Sequence, residues 1–349
     1  MRPGISEPGG RVDKALATAT RALLAAQDPG GGWMDFPGLG GGSDEWVTGY
    51  VGASLAAVPY DGVRSALTRA WGALAGRQRW TGGWGFMPAY PADADSTACA
   101  LRVAEAIPGG GGLRAWRARA FLARHQRRGG GIATYVWPKR MVWATGMRHR
   151  FDGWCSPHVC VSSNAALLAR FRGRRRLLEY LLTKQSPDGS WRSYWWYDER
   201  EYATALAVAA LAPSPDPRHR SAVRRAVAWA CSAPAVGGAV ETAAAPEGSA
   251  FATALRLQVL AAGEPGMADA PREAALAWLL ARQRDDGTWR SSAWLRFPPT
   301  QVADTAQIRL WHIGQMVEAG VMPDARGLFT TATVVCALQA ARDGSVPHG

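Results

Sequence analysis

The chain has 349 residues, 48% of them hydrophobic, with 17 tryptophans, 40 glycines, five cysteines and a formal net charge of +12. That apolar content excludes a disordered polymer, and no apolar run reaches the roughly 18–20 residues that a membrane-spanning helix needs. The positive balance suits an anionic partner, but no nucleic-acid-binding motif is present, so none is expected as a partner. The arginine clusters at 170–176 and 218–225 read as solvated helix faces. Five cysteines give no paired framework, and residues 1–26 lack the basic-then-apolar layout of a signal peptide. The expected setting is cytoplasmic, with peripheral contact to a membrane left open.

In chain order, two kinds of helical segment alternate. Amphipathic runs end in "LLAAQDPGGGW" (23–33), "LAGRQRWTGGW" (74–84), "LLTKQSPDGSW" (181–191) and "LLARQRDDGTW" (279–289). Each places a Gln six residues before a Trp: Gln27/Trp33, Gln78/Trp84, Gln185/Trp191 and Gln283/Trp289. The intervening Gly, Asp and Pro are turn formers. A Gln here is placed to bond freed backbone groups at a neighbouring helix terminus, with the Trp stacked over it as a staple. After each turn comes a small, apolar, nearly uncharged segment: 44–58, 93–106, 201–211, 249–262 and 329–341. A helix apolar all round is buried.

Two degenerate copies, 114–126 leading to 156–171 and 221–233 leading to Ser249, bring the total to six helix pairs at a period of roughly 50 residues. An open solenoid needs polar caps at its ends, and none is visible. The expectation is therefore an all-α, single (α/α)6 toroid over 11–342, six outer helices around six inner ones. Residues 1–10 are expected as a flexible tail and 343–349 as a C-terminal one. Two insertions fall near 131–156 and 284–327, and within the second "TQVADTAQIRLWHIGQMVEAG" (300–320) reads as a helix covering a cavity mouth.

The stretch "DADST" (93–97) places two carboxylates at the mouth of an inner helix. An N-cap needs only one. Burial and a neighbouring carboxylate both raise a carboxyl pKa, which keeps a proton available for transfer in a dry cavity. The starts of the inner helices converge on one rim, which gathers Trp46, Tyr50, His158, Trp195, Trp196, Tyr202 and Phe251. Aromatic faces stabilise cations. The connector "YVWPKRMVWATGMRHRFDGW" (135–154) adds Arg140 and Arg148, whose guanidinium groups can clamp a diphosphate.

These features resemble the squalene–hopene cyclase and protein prenyltransferase superfamily over roughly residues 11–342. The Gln–Trp turns resemble the "QW" motif of triterpene cyclases, and "DADST" resembles the Asp-x-Asp-Asp/Thr-Thr motif of class II terpene cyclases. The resemblance implies that Asp95 is a Brønsted acid, that Asp93 supports it and that His158 hydrogen-bonds it. It further implies protonation of an alkene or epoxide of a polyprenyl substrate, followed by carbocation cyclisation in an aromatic cavity. Ser96 stands where the commonest form has Asp, while Thr97 matches variants ending in Thr. No cofactor is implied, apart from Mg2+ if the substrate carries a diphosphate. Class II cyclases usually add a second helical barrel, and the sequence leaves open whether a partner subunit supplies one. The rival is zinc-dependent prenyl transfer. At the offset where that family places its Cys stands Thr97, and Asp152, Cys155, His158 and Cys160 (D-x2-C-x2-H-x-C) form the alternative ligand set. A third reading is a non-catalytic isoprenoid-binding toroid.

Overall fold

The structure is a computed structural model that describes residues 8–38, 41–146, 150–197, 200–315 and 317–343. Six buried helices form an inner ring: α2 (Glu45–Leu55), α4 (Ala94–Ala106), α7 (Val159–Ala166), α9 (Glu201–Leu211), α11 (Ala250–Ala261) and α13 (Leu328–Asp343). Each packs on the next, and α13 packs back on α2 to close the circle. Outside lie α1 (Pro8–Ala25), α3 (Val63–Arg77), α5 (Leu113–His125), α8 (Arg174–Lys184), α10 (Pro217–Ser232) and α12 (Asp269–Ala281). The seventh helix outside the inner ring, α6 (Pro138–Thr145), belongs to the first insertion.

The segregation follows from composition. Helix α9, EYATALAVAAL, is buried along almost its whole length. Helix α8, RRRLLEYLLTK, buries Leu177, Leu178, Tyr180 and Leu181 and exposes Arg175 and Arg176. One stripe of apolar residues suffices for an outer helix, whereas an inner helix has neighbours on every side.

The turns lock the ring by one repeated set of bonds. The Gln185 amide donates to the Gly189 carbonyl (2.8 Å) and to the Ala222 carbonyl in the next outer helix (2.8 Å). The Trp191 indole donates to the Leu181 carbonyl (2.8 Å), one of the acceptors freed where α8 ends. Thr204 of α9 accepts from the Trp191 amide (2.9 Å). The same four bonds recur around Gln27/Trp33, Gln78/Trp84 and Gln283/Trp289. The degenerate third copy keeps three of them, because Gln126 bonds Gly130 and Gly173, and Ser162 receives the Ile132 amide. Gln283 reaches the Ala15 carbonyl of α1 (2.9 Å), which ties the last outer helix to the first. Gly189 has φ +94°, and a Cβ there would stand 2.4 Å from the Arg225 carbonyl oxygen, so the turn abuts the next helix too closely for any other residue.

Short strands decorate this frame. β1 (Asp35–Gly38) pairs with β2 (Gly41–Ser43), and β3 (Trp84–Gly85) pairs antiparallel with β4 (Ala92–Asp93). The second insertion corrects one expectation, since 300–320 is not a helix. It contains a single 3-10 turn, Thr305–Gln307, and a three-stranded sheet of β5 (Trp294–Phe297), β6 (His312–Ile313) and β7 (Gly320–Pro323) in the order β5-β7-β6. Backbone pairing of His312 with Ala319 and of Gly314 with Val321 outcompetes the local helical spacing. Helix α1 begins at Pro8, inside the stretch expected as a tail. No helix among the described residues is long and apolar enough to cross a membrane.

Candidate active site

Asp93 is the N-cap of α4. Its Oδ1 accepts from the Ser96 amide (2.8 Å) and its Oδ2 from the Ser96 hydroxyl (2.7 Å). Thr97 donates to the Asp93 carbonyl (2.6 Å) and also accepts from the Trp84 amide (3.1 Å), so it anchors the repeat turn. Asp95 sits in the first turn of α4 and is bonded from outside its own helix. Trp46 Nε1 of α2 donates to Oδ2 (3.0 Å), and Asn164 Nδ2 of α7 donates to Oδ1 (2.9 Å). Arg102, two turns further along α4, donates to Asn164 Oδ1 (3.3 Å), which turns the amide nitrogen toward Asp95.

Both carboxyls are shifted upward from their ordinary range. Burial pushes Asp93 up to about 7 against the hydrogen bonds of Ser96, and the nearby Asp95 adds to the rise. Burial raises Asp95 too, while Asn164, Trp46 and the charge of Arg102 pull the other way. Asp93 is buried and both its oxygens are engaged by Ser96; Asp95 is half-buried, open to a cavity. Asp95 therefore has an oxygen lone pair available toward the cavity, beyond those taken by two donors.

That cavity, about 580 Å3 with its mouth, is lined by Trp46, Phe86, Tyr90, Tyr135, Trp154, Trp195, Trp196, Leu295 and Phe297, with Asp93, Asp95, Ser96, Thr134 and Cys160. Trp46 and Trp196 lie 5.9 Å apart, and Trp154 meets Trp195 edge-on at 5.2 Å. The remaining aromatic residues expected at the site form a tier behind this wall. Tyr202 and Phe251 back Trp196 at 4.6 and 4.8 Å, and Tyr50 stacks on Phe329 with its hydroxyl on Thr333.

Two expectations need correction. His158 does not meet Asp95. Its ring stacks on Tyr194 and bonds the Thr134 hydroxyl through Nδ1 and the Gly153 carbonyl through Nε2, each at 3.0 Å. Burial lowers its pKa to about 3, so it is neutral. Asn164 holds the position expected of the histidine. Arg140 lies away from the cavity, with its guanidinium between Trp80 and Trp137 at 5.0 and 4.9 Å. Arg148 falls outside the described residues. Asp152, Cys155, His158 and Cys160 bring no cluster of ligand atoms together; among the described residues the only such cluster is Glu179, Asp216 and His219 on the outside of the ring. Asn164 had one legible signal, an amide inside an otherwise small and apolar inner helix, where a buried polar group requires a partner.

Comparison with solved structures decides the family. Over 98% of this chain and 100% of the other, the structure superposes with TM-score 0.92 and 37% identity on the type II terpene cyclase MstE from Scytonema, in a variant bound to merosterolic acid A as product. This chain belongs to the type II terpene cyclases. An MstE variant bound to geranylgeranyl dihydroxybenzoate as substrate matches with TM-score 0.91 and 37% identity, over 96% of this chain and 99% of that one. A protein from Actinoplanes matches at 38% identity and TM-score 0.88, over 95% and 99%. The family model of the squalene-hopene cyclase C-terminal domain matches residues 162–299. Among proteins with curated functions none matches. The chain is thus a terpene cyclase that starts its reaction by protonation and guides a carbocation through an aromatic cavity.

Proposed function

We propose that Asp95 is the acid of this cyclase and that its substrate is a linear polyprenyl chain carried on an aromatic ring. The observation that supports this best is a raised, half-buried carboxyl with two outside donors, facing a cavity walled by aromatic rings. The Asp95 proton adds to the terminal alkene and leaves a tertiary cation. Internal alkenes attack in turn, and loss of a proton from the last cation gives a cyclic isomer of the substrate. The Asp95 carboxylate left behind is held by the Trp46 and Asn164 N–H groups, and solvent restores the proton. Trp46, Trp195 and Trp196 present π faces to the travelling charge, while Tyr50, Tyr202 and Phe251 keep that wall rigid. Asp93 sets the start of α4 and thereby the position of Asp95.

The head group follows from charge. Among the described residues lining the cavity there is no Lys or Arg, so nothing there is built to clamp a diphosphate. An aromatic head group of the kind that the Scytonema cyclase takes suits such walls.

The test is incubation of the purified protein with geranylgeranyl dihydroxybenzoate, linear prenyl diphosphates and squalene-type epoxides, beside Asp95→Asn, with Mg2+ and with EDTA. An isomer of the prenylated benzoate, absent with the variant and indifferent to EDTA, is expected. Turnover of the diphosphates alone would overturn the head-group reading, and full activity of Asp95→Asn would overturn the acid.

A further inference from the structure

Between Glu105 and Asp152 the chain holds no acidic residue, while it carries ten Lys and Arg. This segment contains α5 and α6, and with the turn before β3 it builds a face unlike the rest of the molecule. Trp143 of α6 is 88% exposed, Trp80 of the turn 77%, Leu113 of α5 70% and Trp116 of α5 64%. Contacts at Trp80 join the three elements. Arg117 of α5 donates to the Trp80 carbonyl (2.7 Å), and Arg140 of α6 covers the Trp80 ring. Leu113 and Trp116 lie one turn apart on α5, as do Arg140 and Trp143 on α6.

Several exposed indole rings gathered on one face mark an interaction surface. Their apolar body and polar N–H suit the boundary between lipid tails and headgroups, and clustered Arg and Lys attract anionic lipid. We infer that this face docks on an anionic membrane surface. Arg114, Arg117, Lys139 and Arg140 meet the headgroups, and Trp80, Trp116 and Trp143 enter the interface.

The position of the face supports that occupant. Beneath Arg140 runs a crevice of about 310 Å3 between Pro91, Phe121, Trp137 and Tyr135. Tyr135 also lines the active cavity, so the crevice and the site share a wall. A chain drawn from a bilayer at this face has a short apolar route to Asp95. A DNA duplex, whose bases are already stacked on one another, would use the same charges but not the indoles.

The experiment is co-sedimentation of the full chain with vesicles of phosphatidylglycerol and phosphatidylcholine, or of phosphatidylcholine alone. It is run for wild type, Trp80→Ser/Trp143→Ser and Arg114→Gln/Lys139→Gln/Arg140→Gln. Wild type is expected to bind the anionic vesicles and to be released by salt. The tryptophan pair should weaken binding at least about tenfold, and removal of three charges about a hundredfold. Both sets of side chains are exposed, so the melting temperature and the activity on detergent-dispersed substrate should stay at the wild-type level. No binding by wild type, equal binding by the variants, equal binding to neutral vesicles, or binding to duplex DNA instead of vesicles would each overturn the inference.

Discussion

Replacing Asn164 by Leu, which keeps the volume but removes the amide, probes how the acid is tuned. Asn164 is fully buried, and its Nδ2 lies 2.9 Å from Asp95 Oδ1. That bond is worth most after the proton has left, when it meets a carboxylate, and a hydrogen bond to a charged group contributes about 1.5–3 kcal/mol. Taking about 2 kcal/mol, the barrier to proton transfer rises enough to slow kcat roughly thirtyfold. The variant has a second signature. Asn164 lowers the Asp95 pKa, so losing it makes the acid weaker and holds its proton to higher pH. Activity requires protonated Asp95 and falls as pH rises through its pKa. The alkaline limb of the kcat profile should therefore move to higher pH while the plateau drops. Single-turnover product formation across the pH range, followed by mass spectrometry, reads both. A plateau that drops with an unmoved limb would mean that Asn164 acts only through packing, and an unchanged kcat would refute the assignment of Asp95.

Other perturbations test the supporting structure. Arg102→Gln leaves the Asn164 amide free to flip and removes a charge that favours the Asp95 carboxylate; kcat should fall several-fold with KM unchanged, and Arg102→Lys should recover part of it. Gln185→Ala deletes the bond to Gly189 within its own turn and the bonds to Ala222 and Arg225 of the next outer helix and should cost about 2–3 kcal/mol in urea unfolding at roughly 1 kcal/mol per net hydrogen bond, with no change in product. Asp324 is pushed up to about 7 by burial and by the neighbouring Asp35. The folded chain keeps a proton that the unfolded chain releases near 3.8, so this contribution to stability is complete below 3.8 and is lost as pH rises through about 7. Asp324→Asn should lower stability overall, because one acceptor for Thr330, Ser291 or Ala293 is lost. It should also flatten the decline across that window, as read by thermal melts at several pH values.

The ring was legible because its repeat is local. Gln, turn and Trp fall within seven residues, and an inner helix declares itself by lacking charge. Even so, the roles within the turn were assigned differently from what the bonds show. The freed carbonyls at a helix end go to the indole, and the glutamine reaches forward to the next outer helix. Residues 300–320 carry helical spacing yet form strands, because β6 and β7 exist only through pairing with each other and with β5, across distances that local spacing does not encode. The carboxylate pair was visible as a motif and its split roles were half visible, since a cap explains one aspartate and leaves the other. Height around a ring placed His158 near Asp95, but it says nothing of the direction of a side chain at a helix cap. Phe86, Tyr135 and Trp154 reach the cavity from connectors, where no periodicity tells which way a ring points, and Phe297 reaches it from the end of β5.

The bond from Gln283 to Ala15 gives this chain a geometry without a first or last unit. In a linear array the terminal repeat has one neighbour and frays before the rest. Here five of the six junctions between outer helices carry the glutamine clasp and every inner helix packs on two others, so the point where the chain enters the ring is an arbitrary cut in a circle. A circular permutant opened at any other repeat turn, with a linker joining α13 to α1, would enclose the same cavity, and its order of assembly rather than its final form would carry the mark of the new ends.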